Sequence, residues 1–280
     1  MNTTEMKSLA NSNSTPTLGV SAPRETRGLE GSIKEGVSVI KVGGAVVEDP
    51  EQLAKLLNDF ASIPGKKILV HGGGRRATKI ASQLGIESKM VDGRRITDAE
   101  MLSVVTMVYG GLVNKNLVAQ LQAKGVNALG LTGADMDIIR SHKRPVKDVD
   151  YGFVGDVDYA DGDRLAQLLN SGVTPVIAPL THDGNGNILN TNADTMASTV
   201  AKALAKHFDV TLTFSFEKKG VLSNPDDEDS VIPIITRELY DKYVADGVIS
   251  GGMMPKIENA LEAVDAGVKK VVIAGTVIQN

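Results

Sequence analysis

Two glycine turns, two lysines and one acidic segment carry most of the chemistry that can be read from the sequence. Lys41-Val42-Gly43-Gly44 closes a run rich in β-branched residues. A lysine in a strand covered on both faces must have its ammonium solvated or paired. At the strand's carboxyl end Lys41 therefore either snorkels to solvent or points into a ligand crevice. The glycines behind it let the backbone approach a phosphate and offer bare N–H donors. His71-Gly72-Gly73-Gly74 ends a second apolar run, ahead of a helical segment over residues 75–84. A glycine turn before a helix N-terminus is an anion site, built from amide donors and the positive end of the helix dipole. His71 itself reads as a structural strand-end histidine, because no acid stands nearby in sequence to orient it as a base.

Three further segments have both a structural and a functional reading. Arg94 and Arg95 offer forked donors matched to carboxylate or phosphate, or form an ordinary surface pair. In Asn190-Thr191-Asn192-Ala193-Asp194, Asn192 is placed to cap the helix that runs to His207, and spacing alone favours that reading. The alternative makes Asn190 an amide donor to substrate and Asp194 an acceptor that holds cations. In Gly251-Gly252-Met253-Met254-Pro255-Lys256, Pro255 suits a first helical turn. Lys256 is then a cation near a helix N-terminus, disfavoured by roughly 0.3–1 kcal/mol unless an anion binds there. The Walker pattern is absent. Gly72, Gly74 and Ala77 do satisfy G-x-G-x-x-A, with Asp92 at the spacing of a ribose-binding acid, so a dinucleotide-binding oxidoreductase stays open.

These segments need strands and helices to position them. Residues 37–42, 66–71, 126–131, 173–178, 210–216 and 271–274 read as buried strands. Between them, Thr97 and Glu100 form a capping box ahead of Met101, Val105, Val108 and Leu112 at helical spacing. Leu165, Leu168 and Leu169 line a helix closed by Gly172, and Met254, Ile257, Leu261 and Val264 one closed by Gly267. Strands alternating with helices imply parallel crossovers and an open sheet covered on both faces. The expected fold is α/β, a three-layer αβα sandwich with a mainly parallel sheet. Ligands of such sheets bind at the carboxyl ends of the strands.

The chain has 280 residues, enough to bury roughly 75% of its unfolded surface. With no cysteine it has no disulfide, thiolate metal site or cysteine nucleophile. A net charge of −4 argues against a nucleic-acid or anionic-membrane surface. The longest apolar stretch, around Tyr109, reads as far too short to span a bilayer. Residues 1–32 are rich in Ser, Thr, Asn, Pro and Gly, lack a signal-like apolar core and are expected to form a disordered tail. A cytoplasmic location is expected.

Taken in order, the motifs resemble the amino acid kinase family, most closely its N-acetylglutamate kinase branch. The resemblance rests on Lys41-Val-Gly-Gly, Val70-His-Gly-Gly-Gly, Asp92-Gly-Arg-Arg-Ile-Thr and residues 107–117. It continues through Gly130-Leu-Thr-Gly-Ala-Asp, Phe153-Val-Gly-Asp-Val, Asn190-Thr-Asn-Ala-Asp and Gly251-Gly-Met-Met-Pro-Lys. It implies phosphoryl transfer from ATP, with Mg2+ on the nucleotide phosphates, to the side-chain carboxylate of an N-acyl-L-glutamate. The acyl group is acetyl by default, or succinyl, which needs more room and a cation near its second carboxylate. By the same resemblance, Lys41 and Lys256 stabilise the migrating phosphoryl group, Gly44 and Gly73 donate N–H bonds to it, and Asp194 orients the lysines. Gly73, Gly74, Arg95 and Asn190 hold the acylated amino acid, while Lys218, Gly220 and the region of Lys256 line the ATP pocket. No dedicated protein ligand to the metal is assigned.

The resemblance also implies an acyl-amino-acid lobe over residues 33–190, an ATP lobe over residues 191–280, and a homodimer. Relatives inhibited by arginine carry a long N-terminal helix that joins dimers into hexamers. Residues 1–32 show no such helical pattern, so a dimer without that regulation is expected. The chain departs from the family at Glu217, where a shorter acid is usual, and at Ile273-Ala-Gly-Thr-Val-Ile, where the ending reads as shortened. Other outcomes are another carboxylate or carbamate kinase of the family, or a non-catalytic sensor.

Overall fold

Period-two alternation in a strand sends successive side chains to opposite faces, so a strand apolar on both faces needs a layer above and below. The computed structural model describes residues 34–280 apart from Asp92, Phe216, Glu217, Lys218, Pro225 and Gly252. The expectations for the tail, Asp92, Glu217 and Lys218 therefore lie outside the described residues. In the first strand, Gly36–Val42, Val37 and Val39 enter one core while Ile40 and Val42 enter the other. The same division separates Ile68 and Val70 from Leu69 in Lys66–His71.

Eight strands form the main sheet. From one edge to the other they are Ile234–Ile235, Thr276–Ile278, Lys270–Ile273, Asp209–Phe214, Gly36–Val42, Lys66–His71, Thr174–Ile177 and Ala128–Leu131. Every neighbouring pair is parallel except Lys270–Ile273 with Thr276–Ile278, which turn back through Ala274 and Gly275. Ala274 takes φ +49, a left-handed conformation that this tight reversal imposes. The ending that reads as shortened is thus a hairpin whose last strand also pairs with Ile234–Ile235. One core is closed by helices Gly162–Asn170, Ala193–Leu204 and Met253–Asp265, the other by Pro50–Ser62, Gly74–Gln83 and the long helical stretch after Asp98. The three-layer α/β expectation holds.

A second sheet was not foreseen. It orders Ile188–Asn190, Leu180–His182, Ile139–Lys143 and Gly155–Ala160, and its three- to six-residue polar strands carry little apolar alternation. Two local expectations are also corrected. Asp98, not Thr97, caps the helix after it, accepting from the Met101 N–H at 2.9 Å. The Thr97 hydroxyl is engaged elsewhere, 2.9 Å from Asn190 Nδ2. Further on, Thr106–Val113 is a π-helical segment, whose wider turn rotates the following face. Tyr109 and Val113 become buried and Leu112 is left 38% exposed.

That segment joins its neighbours into one helix, Ala99–Gln122, long and apolar enough by length and composition to cross a membrane. The apolar positions of the helix are used internally: Met101, Val104, Val105, Val108, Leu117 and Leu121 lie in the core.

Candidate functional site

Register brings the two glycine turns together. In the parallel pair of the first and second strands, Val42 lies opposite His71, so both chains turn at the same level of the sheet. The Gly72 N–H donates to the Val42 carbonyl at 3.0 Å and ties one turn to the other. A Cβ built on Gly44 would lie 3.5 Å from Gly74 N, 3.6 Å from Gly73 N and 3.9 Å from Arg75 N. The amide nitrogens that open helix Gly74–Gln83 thus converge over the bare Cα of Gly44. This is a cradle that a side chain would fill, and it suits an anion.

Lys41 continues the row of Val37 and Val39 along the strand, onto the face covered by helix Ala193–Leu204. That helix begins beside it. Asn192 caps the helix, accepting from Asp194 N at 2.8 Å and Thr195 N at 3.0 Å, as spacing had favoured. Asp194 therefore sits in the first turn, where the dipole favours a carboxylate. Its Oδ1 lies 2.7 Å from Lys41 Nζ. The cap reading of Asn192 holds, and Asp194 is paired with the Lys41 ammonium.

Helix Met253–Asp265 packs against Ala193–Leu204 and brings Lys256 to the same place. Burial pulls the Lys256 pKa below the usual lysine value. The Asp194 carboxylate pushes it back up, and the Lys41 charge adds to the lowering. The three charged groups therefore feel one another although they come from three separate segments.

A cavity of about 680 Å³ opens over this cluster. Its lining includes Gly72, Gly73, Gly74, Arg95, Asn190, Asp194 and Lys256. Arg95 is buried. Its Nη2 donates to the Gly74 carbonyl and to Thr78 Oγ1, both at 2.9 Å, and its Nη1 donates to Ser88 Oγ. Asn190 is buried at the end of Ile188–Asn190, steadied through Thr97. Gly220 lies apart from this lining: it is buried, and a Cβ there would meet Val231 Cγ1 at 2.6 Å and Thr276 Oγ1 at 2.9 Å. Of the residues singled out, Lys41, Gly44, Gly73, Gly74, Arg95, Asn190, Asp194 and Lys256 are brought together, and Gly220 is not.

Tyr109 and Arg144 drew no functional reading in the sequence, and Asp156 stood only inside Phe153-Val-Gly-Asp-Val. Tyr109 lines the cavity, and a Cβ on Gly73 would come within 2.9 Å of its ring, which is why that position must be glycine. In the sequence Tyr109 marked only the centre of the longest apolar stretch, and such a stretch points to core. Arg144 and Asp156 line the far end, with Arg144 Nε 3.1 Å from Asp156 Oδ1. The Arg144 guanidinium holds the Asp156 carboxyl below the usual carboxylate range. Both belong to the second sheet region, whose fold the sequence did not disclose.

Comparisons with known proteins bear on the family. The model of the amino acid kinase family matches residues 36–275. An acetylglutamate kinase of Bacteroides thetaiotaomicron is 70% identical over 241 residues, 86% of this chain and 94% of that protein. One of Phocaeicola vulgatus is 64% identical over 257 residues, 89% of this chain and all of its own length. Among solved structures, smu.665 from Streptococcus mutans superposes with a TM-score of 0.69 at 31% identity, covering 87% of this chain and 98% of that one. The dinucleotide-binding alternative is thereby set aside, and the chain belongs to the amino acid kinase family.

Proposed function

We propose that the protein transfers the γ-phosphoryl group of ATP to the side-chain carboxylate of an N-acyl-L-glutamate, as the second step of arginine biosynthesis. N-acetyl-L-glutamate is the default acceptor, supported by the acetylglutamate kinases among the relatives. N-succinyl-L-glutamate is the wider alternative, favoured by the guanidinium groups of Arg94 and Arg144 along the same cavity. The observation that carries the reading is the Lys41–Asp194 ion pair beside the opposed glycine turns.

A glutamate carboxylate, with an ordinary pKa near 4.3, is already ionised at neutral pH. It attacks the γ-phosphorus directly: a new O–P bond forms, the bond to the β–γ bridging oxygen breaks, and ADP leaves with that electron pair. No general base is required, and among the described residues no His–acid pair lines the cavity. What the reaction needs is positioning and charge neutralisation. Lys41 and Lys256 supply cationic ends, Gly44 and Gly73 supply amide donors, and Asp194 orients the lysines. Gly73, Gly74, Arg95 and Asn190 hold the acylated amino acid. The ATP side comprises the neighbourhood of Lys256, with Lys218 and Gly220 as further candidates.

Mg2+ adds charge neutralisation on the nucleotide phosphates. The described residues hold no cluster of three or more His, Asp or Glu suited to a metal of their own. Within one continuous sheet, residues 33–190 then serve the acyl amino acid and residues 191–280 the nucleotide. A homodimer is the assembly that the family resemblance implies, and exposed Met107 (55%) and Leu129 (40%) are apolar side chains that such an interface would cover. Sedimentation equilibrium reading a monomer at micromolar concentration contradicts that part. A cytoplasmic location fits the biosynthetic role.

Trapping the product with hydroxylamine tests the chemistry, because an acyl phosphate yields a hydroxamate. With ATP and Mg2+, hydroxamate is expected from N-acetyl- or N-succinyl-L-glutamate. Product from aspartate or carbamate, and none from either acylglutamate, overturns the acceptor assignment in favour of another kinase of the family. No turnover with any acceptor favours a sensor.

A further inference from the structure

His71 is fully buried and plays no part in the reaction just described, yet every polar atom of its ring has a partner. Nδ1 lies 2.8 Å from the Gly72 carbonyl oxygen, and Nε2 lies 3.1 Å from Asn114 Nδ2. The same Asn114 nitrogen donates to the Val176 carbonyl at 2.9 Å, and Asn114 Oδ1 accepts from Lys115 Nζ at 3.1 Å. These partners fix every proton. An ammonium only donates, so the Asn114 oxygen must face Lys115 and its NH2 must face His71 and Val176. A carbonyl only accepts, so His71 carries its proton on Nδ1 and receives the Asn114 N–H on a bare Nε2.

The chain of donors ends on one half of a peptide unit whose other half is in the site. In a trans peptide the C=O and N–H point in opposite directions. Drawing the Gly72 oxygen toward His71 therefore turns the Gly73 N–H the other way. Gly44 lies close to this amide: its built Cβ would sit 3.6 Å from Gly73 N. Glycine alone could swing this peptide freely, so something must hold it. We propose that His71 and Asn114 are positioning residues for phosphoryl transfer, fixing the Gly72–Gly73 peptide so that the Gly73 N–H is aimed at the migrating group.

Two features favour this over a buried pair that merely satisfies itself. An apolar pair at these positions would avoid the desolvation cost of an imidazole and an amide. The surroundings are also shaped to admit the network: a side chain at Gly130 would collide with Asn114 Oδ1. Burial lowers the His71 pKa to about 4, against the opposing pull of the Gly72 bond, and the Lys115 charge acts in the same direction as burial. The ring thus stays neutral and keeps its tautomer through the neutral range. Lys115, at the head of the chain, polarises each bond toward the glycine turn.

The proposal rests on the kinase reading, and its tests separate from it. In 15N-edited NMR of the full chain, His71 is expected as the Nδ1–H tautomer, unchanged between about pH 5.5 and 8. An Nε2–H tautomer, or titration near 6.5, overturns the proposal. Kinetics supply the second arm. His71→Asn places an amide donor close to the Nδ1 position, whereas His71→Gln places one near Nε2. His71→Gln is expected to lower kcat by about tenfold or more, with both KM values within about threefold, and His71→Asn to recover most of the loss. Equal kcat values in the two variants, at wild-type melting temperature, overturn the proposal alone. A wild type that phosphorylates no acyl amino acid overturns the kinase reading with it, whatever the tautomer.

Discussion

Lys41 Nζ and Asp194 Oδ1 are 2.7 Å apart, although one ends the first strand and the other opens a helix far along the chain. The lysine side chain is 16% exposed and the carboxylate 47%, so the pair sits at the cavity wall and not in the core. Its worth to stability is accordingly small. Its worth to geometry is larger, because the carboxylate stops the flexible lysine from sampling other rotamers.

Asp194→Asn keeps the shape and removes the charge. The expected result is a melting temperature close to wild type and a kcat lowered by about 100-fold, the scale set by displacing a reacting group by roughly 1 Å. Steady-state kinetics beside a thermal melt reads both quantities. A kcat within twofold of wild type means that Asp194 does not orient the lysines.

Gly44→Ala tests the cradle. The new methyl would stand 3.5–3.9 Å from three amide nitrogens, in ordinary contact with the protein but in the space an oxyanion needs. Gly44 lies at the start of helix Gly44–Glu48, with nothing nearer to strain the fold. Folding is expected to be unimpaired, while kcat falls by about 100-fold. An active Gly44→Ala enzyme removes Gly44 from the donor set.

Much of this was legible in the sequence, for definite reasons. The strand Lys66–His71 was read with its observed limits because a β-branched and leucine run met three glycines. Lys41 and Lys256 stood out as cations where burial or a dipole disfavours them. What stayed hidden has equally physical causes. The π-helical turn at Thr106–Val113 breaks the 3.6-residue period, so Leu112 was assigned inward and Tyr109 was not seen as part of the site. The second sheet has short polar strands without alternation, which hid Arg144 and left Asp156 marked only as part of Phe153-Val-Gly-Asp-Val. The bond between Thr97 and Asn190 joins residues distant in sequence, and no local pattern announces it.

Arg95→Ala removes a buried guanidinium bonded to Gly74, Thr78 and Ser88. A charged hydrogen bond from this guanidinium to the acceptor would contribute about 1.5–3 kcal/mol, beyond the bonds that hold the side chain in place. The acceptor's kcat/KM is expected to fall by about 10- to 150-fold with KM for ATP little changed, and the melting temperature to drop. Equal losses for both substrates would assign Arg95 to the fold and not to the acceptor.

His71 also makes stability depend on pH. Its pKa is about 4 folded and near 6.5 unfolded, so between those values only the unfolded chain takes up the proton. Its contribution is fully present above pH 6.5 and fades as pH falls toward 4, by about 3 kcal/mol in all. Urea unfolding of wild type and His71→Asn across that window isolates it. The wild type is expected to lose more stability than His71→Asn as pH falls through that window, and parallel curves contradict the buried neutral ring.

The central claim is that Lys41 and Lys256 act on one phosphoryl group, and a double-mutant cycle on kcat at saturating substrates tests it most directly. Lys41→Ala and Lys256→Ala are each expected to lower kcat at least tenfold, about 1.4 kcal/mol. Combined, they are expected to lose measurably less than the product of the single losses, because residues acting as a unit are not additive. Either single variant retaining wild-type kcat, or losses that simply multiply, would contradict a shared phosphoryl group.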